Sequence, residues 1–371
     1  MNPLQELIKY GQSYWLDNLT RSMTTDGALH TRVTSQGLRG VTSNPAIFHK
    51  AIAGSSDYDE QIAQLAGKGH SVKEIYEGLV VTDVQKACDI LRPVYDASDG
   101  VDGFVSLEVS PDLAYDPAGT MQEARRLWHA VDRSNALIKI PGTAAAVPAI
   151  EQMLYEGINI NVTLLFSITD YEAVARAYIT ALERRVAEGK PVSSLASVAS
   201  FFLSRIDVLV DQLLEQRLLA ADSPDYDPRP AQLGGKIAVA NAKLAYQSFK
   251  SIFRGAPWNA LEAQGAHVQR PLWASTSTKN PQYSDVCYVA PLVGPHTVNT
   301  MPDETIEAFA QHGVIVENSV EADLEEARQM MRDLETVGVK LDYVTWQLQH
   351  EGVQKFIDPF NTLLQTLAQK C

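Results

Sequence analysis

Lys139 stands in a short apolar run, Ala136-Leu137-Ile138-Lys139-Ile140, which ends in Pro141-Gly142-Thr143. An ammonium group at the end of such a strand loses its hydration. Burial disfavours the charged form and favours the neutral, nucleophilic amine. A lysine of this kind can attack a carbonyl carbon and form a Schiff base. The other reading of Lys139 alone is a strand-edge residue pointing into solvent. The polar residues elsewhere in the chain bear on the choice.

Those residues recur at the ends of strand-like runs. The first run ends Trp15-Leu16-Asp17-Asn18 and the second Val41-Thr42-Ser43-Asn44-Pro45. The third carries Ser106-Leu107-Glu108-Val109, and the fifth Asn159-Ile160-Asn161-Val162-Thr163-Leu164. In the fifth, Asn161 and Thr163 share a face by the strand period of two. The sixth offers Ser197, Ser200 and then Arg205, and the seventh reads Trp273-Ala274-Ser275-Thr276-Ser277-Thr278-Lys279. Asp17, Asn44 and Ser204 also suit helix caps or turns. Glu108 is harder to explain structurally, because a carboxylate in an apolar strand needs a partner.

The elements that must position these groups follow from the hydrophobic rhythm. Strand-like runs at 13–17, 39–43, 104–109, 136–140, 158–166, 197–203, 272–277 and 287–293 alternate with amphipathic helical segments. Ser71-Val72-Lys73-Glu74 and Thr82-Asp83-Val84-Gln85 both fit the capping box. Val84, Ala87, Cys88 and Leu91 then recur at helical spacing, as do Ile206, Leu209, Val210 and Leu213, and Val174, Ala177, Tyr178 and Ala181. Cys88 therefore reads as core. Alternating strands and helices imply parallel pairing, and eight units point to an α/β fold of the closed (β/α)8 TIM-barrel type. No Gly-x-Gly-x-x-Gly or P-loop follows any strand. Extra segments at 219–269 (a loop at 223–230, a helix at 236–253) and at 318–371 (two or three helices) read as elaborations of one domain.

The formal net charge of −14 over 371 residues argues against nucleic acid or an anionic membrane as the main partner. An anionic substrate must then be held by a few local cations. Arg205 and Lys279 are the candidates, beside a helix start. Three unpaired cysteines, with no secretory signal and no membrane-length apolar stretch, suggest a cytoplasmic protein.

Four segments carry a specific resemblance. They are Gly40-Val41-Thr42-Ser43-Asn44-Pro45, Val105-Ser106-Leu107-Glu108-Val109, Leu137-Ile138-Lys139-Ile140-Pro141, and Gly157-Ile158-Asn159-Ile160-Asn161-Val162-Thr163-Leu164-Leu165-Phe166-Ser167. The chain resembles the transaldolase family over roughly 14–295. The resemblance implies Lys139 as the Schiff-base lysine, Asp17 and Glu108 as acid/base carboxylates, and Thr163 as the residue holding a catalytic water. It also implies Asn44 and Asn161 as ligands of substrate hydroxyls, Ser200 and Phe202 as pocket residues, and Arg205 and Ser275 as phosphate ligands. Lys279 stands where many members place a second arginine, after one extra residue; a lysine binds phosphate as a point charge rather than a fork. The implied reaction moves a three-carbon dihydroxyacetone unit from sedoheptulose 7-phosphate to glyceraldehyde 3-phosphate, with phosphorylated sugars as partners and neither cofactor nor metal. A monomer or homodimer is expected. Rival readings are a class I aldolase releasing free dihydroxyacetone, a metal-dependent barrel isomerase or lyase, and a non-catalytic barrel. The metal reading is weak because His296 is the only histidine near a strand end.

Overall fold

A computed structural model describes residues 2–220 and 229–371. Eight parallel strands close in sequence order: β1 (Gln12–Leu16), β2 (Gly40–Val41), β3 (Phe104–Glu108), β4 (Ala136–Pro141), β5 (Ile160–Leu165), β6 (Ser197–Phe202), β7 (Arg270–Ala274) and β8 (Thr297–Met301). Every strand residue is buried. One face of each strand fills the barrel and the other meets the surrounding helices. That explains why the strands read as near-continuous apolar runs rather than alternating ones. The expected (β/α)8 barrel is the fold found.

The eighth strand lies elsewhere than the sequence suggests. Residues 287–293 form turns and a short 3-10 segment, Ala290–Leu292, and bury Tyr288, Val289, Leu292 and Val293. The strand is Thr297–Met301, and its polar residues hide it from a hydropathy reading. Asn299 Nδ2 donates to the Tyr288 carbonyl (3.1 Å), and the Thr300 and Thr42 hydroxyls lie 2.7 Å apart. His296 consequently precedes β8 at the opposite end of the barrel from the strand C-termini.

The helix starts divide in the same way. Ser71 and Glu74 form a true capping box at the head of the helix Val72–Ala97. Thr82 opens no helix: it lies inside that one, and its hydroxyl donates to the Gly78 carbonyl (2.7 Å). Cys88 is buried there without a disulfide. Of the expected loop, 223–228 lies outside the described residues, and Arg229 and Pro230 open the helix Arg229–Leu233. The helix Ile237–Ile252 and the tail helices Leu324–Thr336 and Leu341–Lys370 are present. Among the described residues no helix is long and apolar enough to cross a membrane.

The N-terminal end of the barrel is tied by a buried ionic cluster. Asp102 accepts from Trp15 Nε1 (2.9 Å) and Arg39 Nε (2.6 Å), and Ser13 also donates to it. Arg270, buried at the start of β7, donates from Nη2 to Ser13 Oγ (2.7 Å) and the Thr297 carbonyl (2.8 Å). It thus joins β7, β8 and β1. Removing one member of a buried pair leaves an uncompensated charge. Arg270→Ala should lower the unfolding free energy by about 3–5 kcal/mol in denaturant titration. A loss below ~1 kcal/mol would show that the cluster does not hold the barrel's base.

Candidate active site

Strand register sets the site. Parallel pairing aligns Glu108 with Lys139 and Lys139 with Asn161, so side chains from β3, β4 and β5 enter the barrel at one height. Thr163 pairs with Pro141 one step higher. Above them opens a cavity of about 300 Å³ at the C-terminal ends of the strands. Asp17, Asn44, Lys139, Thr163, Ser200, Phe202, Arg205, Ser275 and Lys279 all line it. Glu108 and Asn161 lie beneath it.

Lys139 is buried at the cavity floor. Its Nζ lies 3.5 Å from Glu108 Oε2 and donates to the Ser43 carbonyl (3.2 Å). The aliphatic neighbours in its own strand give no hint of these partners, which come from β3 and the turn after β2. Neither Glu108 oxygen is hydrogen-bonded. Burial pushes the Glu108 pKa up to about 7, opposed mainly by Lys139. Burial likewise raises Asp17, against Lys139, the Thr42 hydroxyl (2.7 Å to Oδ1) and Arg205. Burial therefore favours the protonated form of both carboxyl groups.

Among the described residues lining the cavity, two further polar atoms are buried without a protein partner: Thr163 Oγ1 and Arg205 Nη1. Buried polar groups nearly always have partners, so orphans converging on a cavity mark a place for ligand polar groups. Arg205 follows β6 in the first turn of the helix Ser204–Ala220. It is not paired with Asp207, which instead accepts from Ala238 N (2.8 Å) and Tyr288 Oη (2.9 Å). Its guanidinium lies against Phe202, 5.1 Å from the ring centroid. Ser275 has a left-handed backbone, φ 55°, and its hydroxyl lies 2.9 Å from that of Ser204. Lys279 is exposed at the rim, with its Nζ donating to Ser277 Oγ.

Asn44 is indeed a helix cap, accepting from Ile47 N (3.0 Å), and it lines the cavity as well. Asn161 donates from Nδ2 to Ser106 Oγ (3.0 Å) and accepts from Ser200 Oγ (2.7 Å) at Oδ1. Sequence reasoning missed Thr42 as the link between Asp17 and Thr300, Glu304 at the rim, and Phe356 in the roof. Thr42 lies within the Gly40-Val41-Thr42-Ser43-Asn44-Pro45 motif. Phe356 is an apolar residue in an ordinary amphipathic pattern and carries no chemical signal.

A family model for transaldolase/fructose-6-phosphate aldolase matches residues 14–367. Over 373 aligned residues the chain is 49% identical to Transaldolase 2 of a Nostoc species, covering 100% of this chain and 98% of that one. The chain belongs to the transaldolase family. Transaldolases of Trichodesmium erythraeum and Frankia alni are 48% and 47% identical, each covering 100% of this chain and 97% of the relative. The family match reaches through the tail helices, well past the barrel motifs that carry the resemblance.

The elevated Glu108 pKa has a measurable consequence. In the fold Glu108 holds its proton up to about pH 7, whereas an unfolded glutamate loses it near ~4.3. Folding therefore takes up a proton between those values, and Glu108 contributes less stability as pH rises through them. Relative to Glu108→Gln, wild-type stability should fall by roughly 3 kcal/mol between about pH 4.3 and 7, then level off. A difference independent of pH across that range would mean Glu108 is ionised throughout.

Proposed function

We propose that this chain is a transaldolase working through a Lys139 Schiff base. The observation that carries this reading is the buried amine at the cavity floor, with Glu108 at 3.5 Å and Asp17 at the same mouth. The neutral amine attacks the ketose C2 carbonyl. Glu108, through a water held by Thr163, passes the protons that let the carbinolamine lose water and become an iminium. Asp17 then takes the proton from the C4 hydroxyl. The C3–C4 bond breaks, its electron pair flows into the iminium, and an aldose phosphate leaves an enamine on Lys139. Attack of the enamine on the acceptor aldehyde, with Asp17 returning the proton, forms the new C–C bond. Water then hydrolyses the iminium and frees the product ketose. Protons and electrons balance without an external oxidant, metal or cofactor.

Donor and acceptor are sedoheptulose 7-phosphate and glyceraldehyde 3-phosphate in this reading. Arg205, Ser275 and Lys279 hold the phosphate beside a helix N-terminus, and the arginine fork contributes more than the rim lysine. Asn44 meets substrate hydroxyls. Asn161 orients Ser200, whose hydroxyl donates downward and leaves its lone pairs toward the sugar. Phe202 supports both the sugar and Arg205. The enzyme operates in the cytoplasm, as one barrel domain in a monomer or homodimer, and touches neither nucleic acid nor membrane.

A coupled assay separates transfer from simple aldol cleavage. Sedoheptulose 7-phosphate should yield erythrose 4-phosphate in sustained turnover only when glyceraldehyde 3-phosphate is present, with fructose 6-phosphate formed in step. Steady release of free dihydroxyacetone without an acceptor would instead indicate the aldolase. Arg205→Ala should raise KM for phosphorylated donors and acceptors about tenfold or more, as expected for a hydrogen bond between charged groups. Unphosphorylated sugars should be little affected. Equal effects on both classes would place the phosphate elsewhere.

A further inference from the structure

We propose that the C-terminal helix Leu341–Lys370 is part of the active site and that Phe356 is the residue through which it acts, positioning the Arg205 guanidinium and the Lys139 nitrogen. The inference rests on the reading of Lys139 as the Schiff-base amine and Arg205 as a phosphate ligand. Gln349, Gly352 and Phe356, three and four residues apart, turn one helical face onto the barrel mouth.

Each of the three makes a different contact. Gln349 Nε2 donates to the carbonyls of Gly142 and Leu164, both at 3.3 Å. Leu164 has a left-handed backbone, φ 59°, at the register break between Val162 and Leu165 in β5. Such bulges re-aim neighbouring side chains, and the neighbour here is Thr163. Gly352 allows close approach: a Cβ there would lie 3.0 Å from Leu164 Cδ2 and 3.6 Å from Arg205 Nη1. Phe356 is buried, and its ring centroid lies 5.7 Å from both Lys139 Nζ and the Arg205 guanidinium carbon.

The ring suits this place chemically. Among the described residues Arg205 forms no ion pair. Phe202 and Phe356 hold it through their electron-rich faces, which leaves its N–H donors for an incoming anion. A carboxylate in the same role would occupy those donors and repel phosphate. At Lys139 the charge at nitrogen develops as the neutral amine becomes an iminium, and the ring favours the charged species without being able to take its proton. Phe356 thus supports both ends of the substrate from one side chain, and it also excludes water from the floor.

The test is Phe356→Leu, which keeps an apolar side chain but removes the ring, against Phe356→Tyr, which keeps the ring. Both are checked for wild-type thermal unfolding. Phe356→Met replaces the leucine variant if that one does not fold. The aliphatic variant should raise KM for sedoheptulose 7-phosphate about tenfold, shift KM for unphosphorylated fructose less, and lower the fraction of chains labelled when borohydride is added during turnover. The tyrosine variant should restore all three readouts to within about twofold of wild type. A folded aliphatic variant that behaves like wild type, or a folded tyrosine variant that loses as much as the aliphatic one, would overturn the role of the ring. Failure of wild-type protein itself to be labelled would instead overturn the Lys139 reading on which this rests.

Discussion

The structure is organised around the problem of keeping Lys139 inside a barrel. An amine at the cavity floor, shielded from water by β3, β4 and β5, loses hydration that the fold must replace. The replacement is partial: one carboxylate at 3.5 Å and one backbone carbonyl at 3.2 Å. A stronger arrangement, with Glu108 fully hydrogen-bonded, would fix the protonation state of that carboxyl and leave no group to pass a proton. Glu108 instead keeps both oxygens free of hydrogen bonds and titrates near neutrality, where proton transfer in either direction is cheap. The buried pair is weak as a stability device and apt as a reactive one.

Strand register makes this arrangement reproducible. Because Glu108, Lys139 and Asn161 are register partners, their relative heights are set by the sheet's hydrogen bonds rather than by loop conformation. The Asp102–Arg39–Arg270 cluster ties the opposite end of the barrel, so the two ends divide stability from chemistry, as barrels of this type commonly do. Arg205 and Lys279 place positive charge at one mouth of an otherwise acidic chain. Under the proposed function, an anionic sugar phosphate would be attracted locally in spite of the net charge of −14.

What was legible in the sequence was what strand chemistry imposes. Lys139 and Glu108 are polar residues in apolar strands, and Asp17, Thr163, Ser200 and Arg205 lie within or just after strands where the C-terminal face must gather them. The eighth strand was missed because its polar residues bond to neighbouring segments, Thr297 to Gln12 and Gly294, Asn299 to Tyr288 and Thr300 to Thr42, a pairing that hydropathy does not register. Thr82 imitated a capping box because helix interiors tolerate a threonine that bonds back to the preceding turn. The role of the tail was hidden for a deeper reason. Phe356 packs like any core residue within its helix, and only the fold shows that the core it joins includes the Lys139 amine and the Arg205 guanidinium.

The most direct test of the central claim is chemical trapping followed by peptide mapping. Wild-type protein incubated with fructose 6-phosphate and borohydride should gain the mass of one reduced three-carbon or six-carbon sugar adduct per chain, confined to the peptide containing Lys139. Addition at any other lysine, or none under conditions of full turnover, would contradict the account.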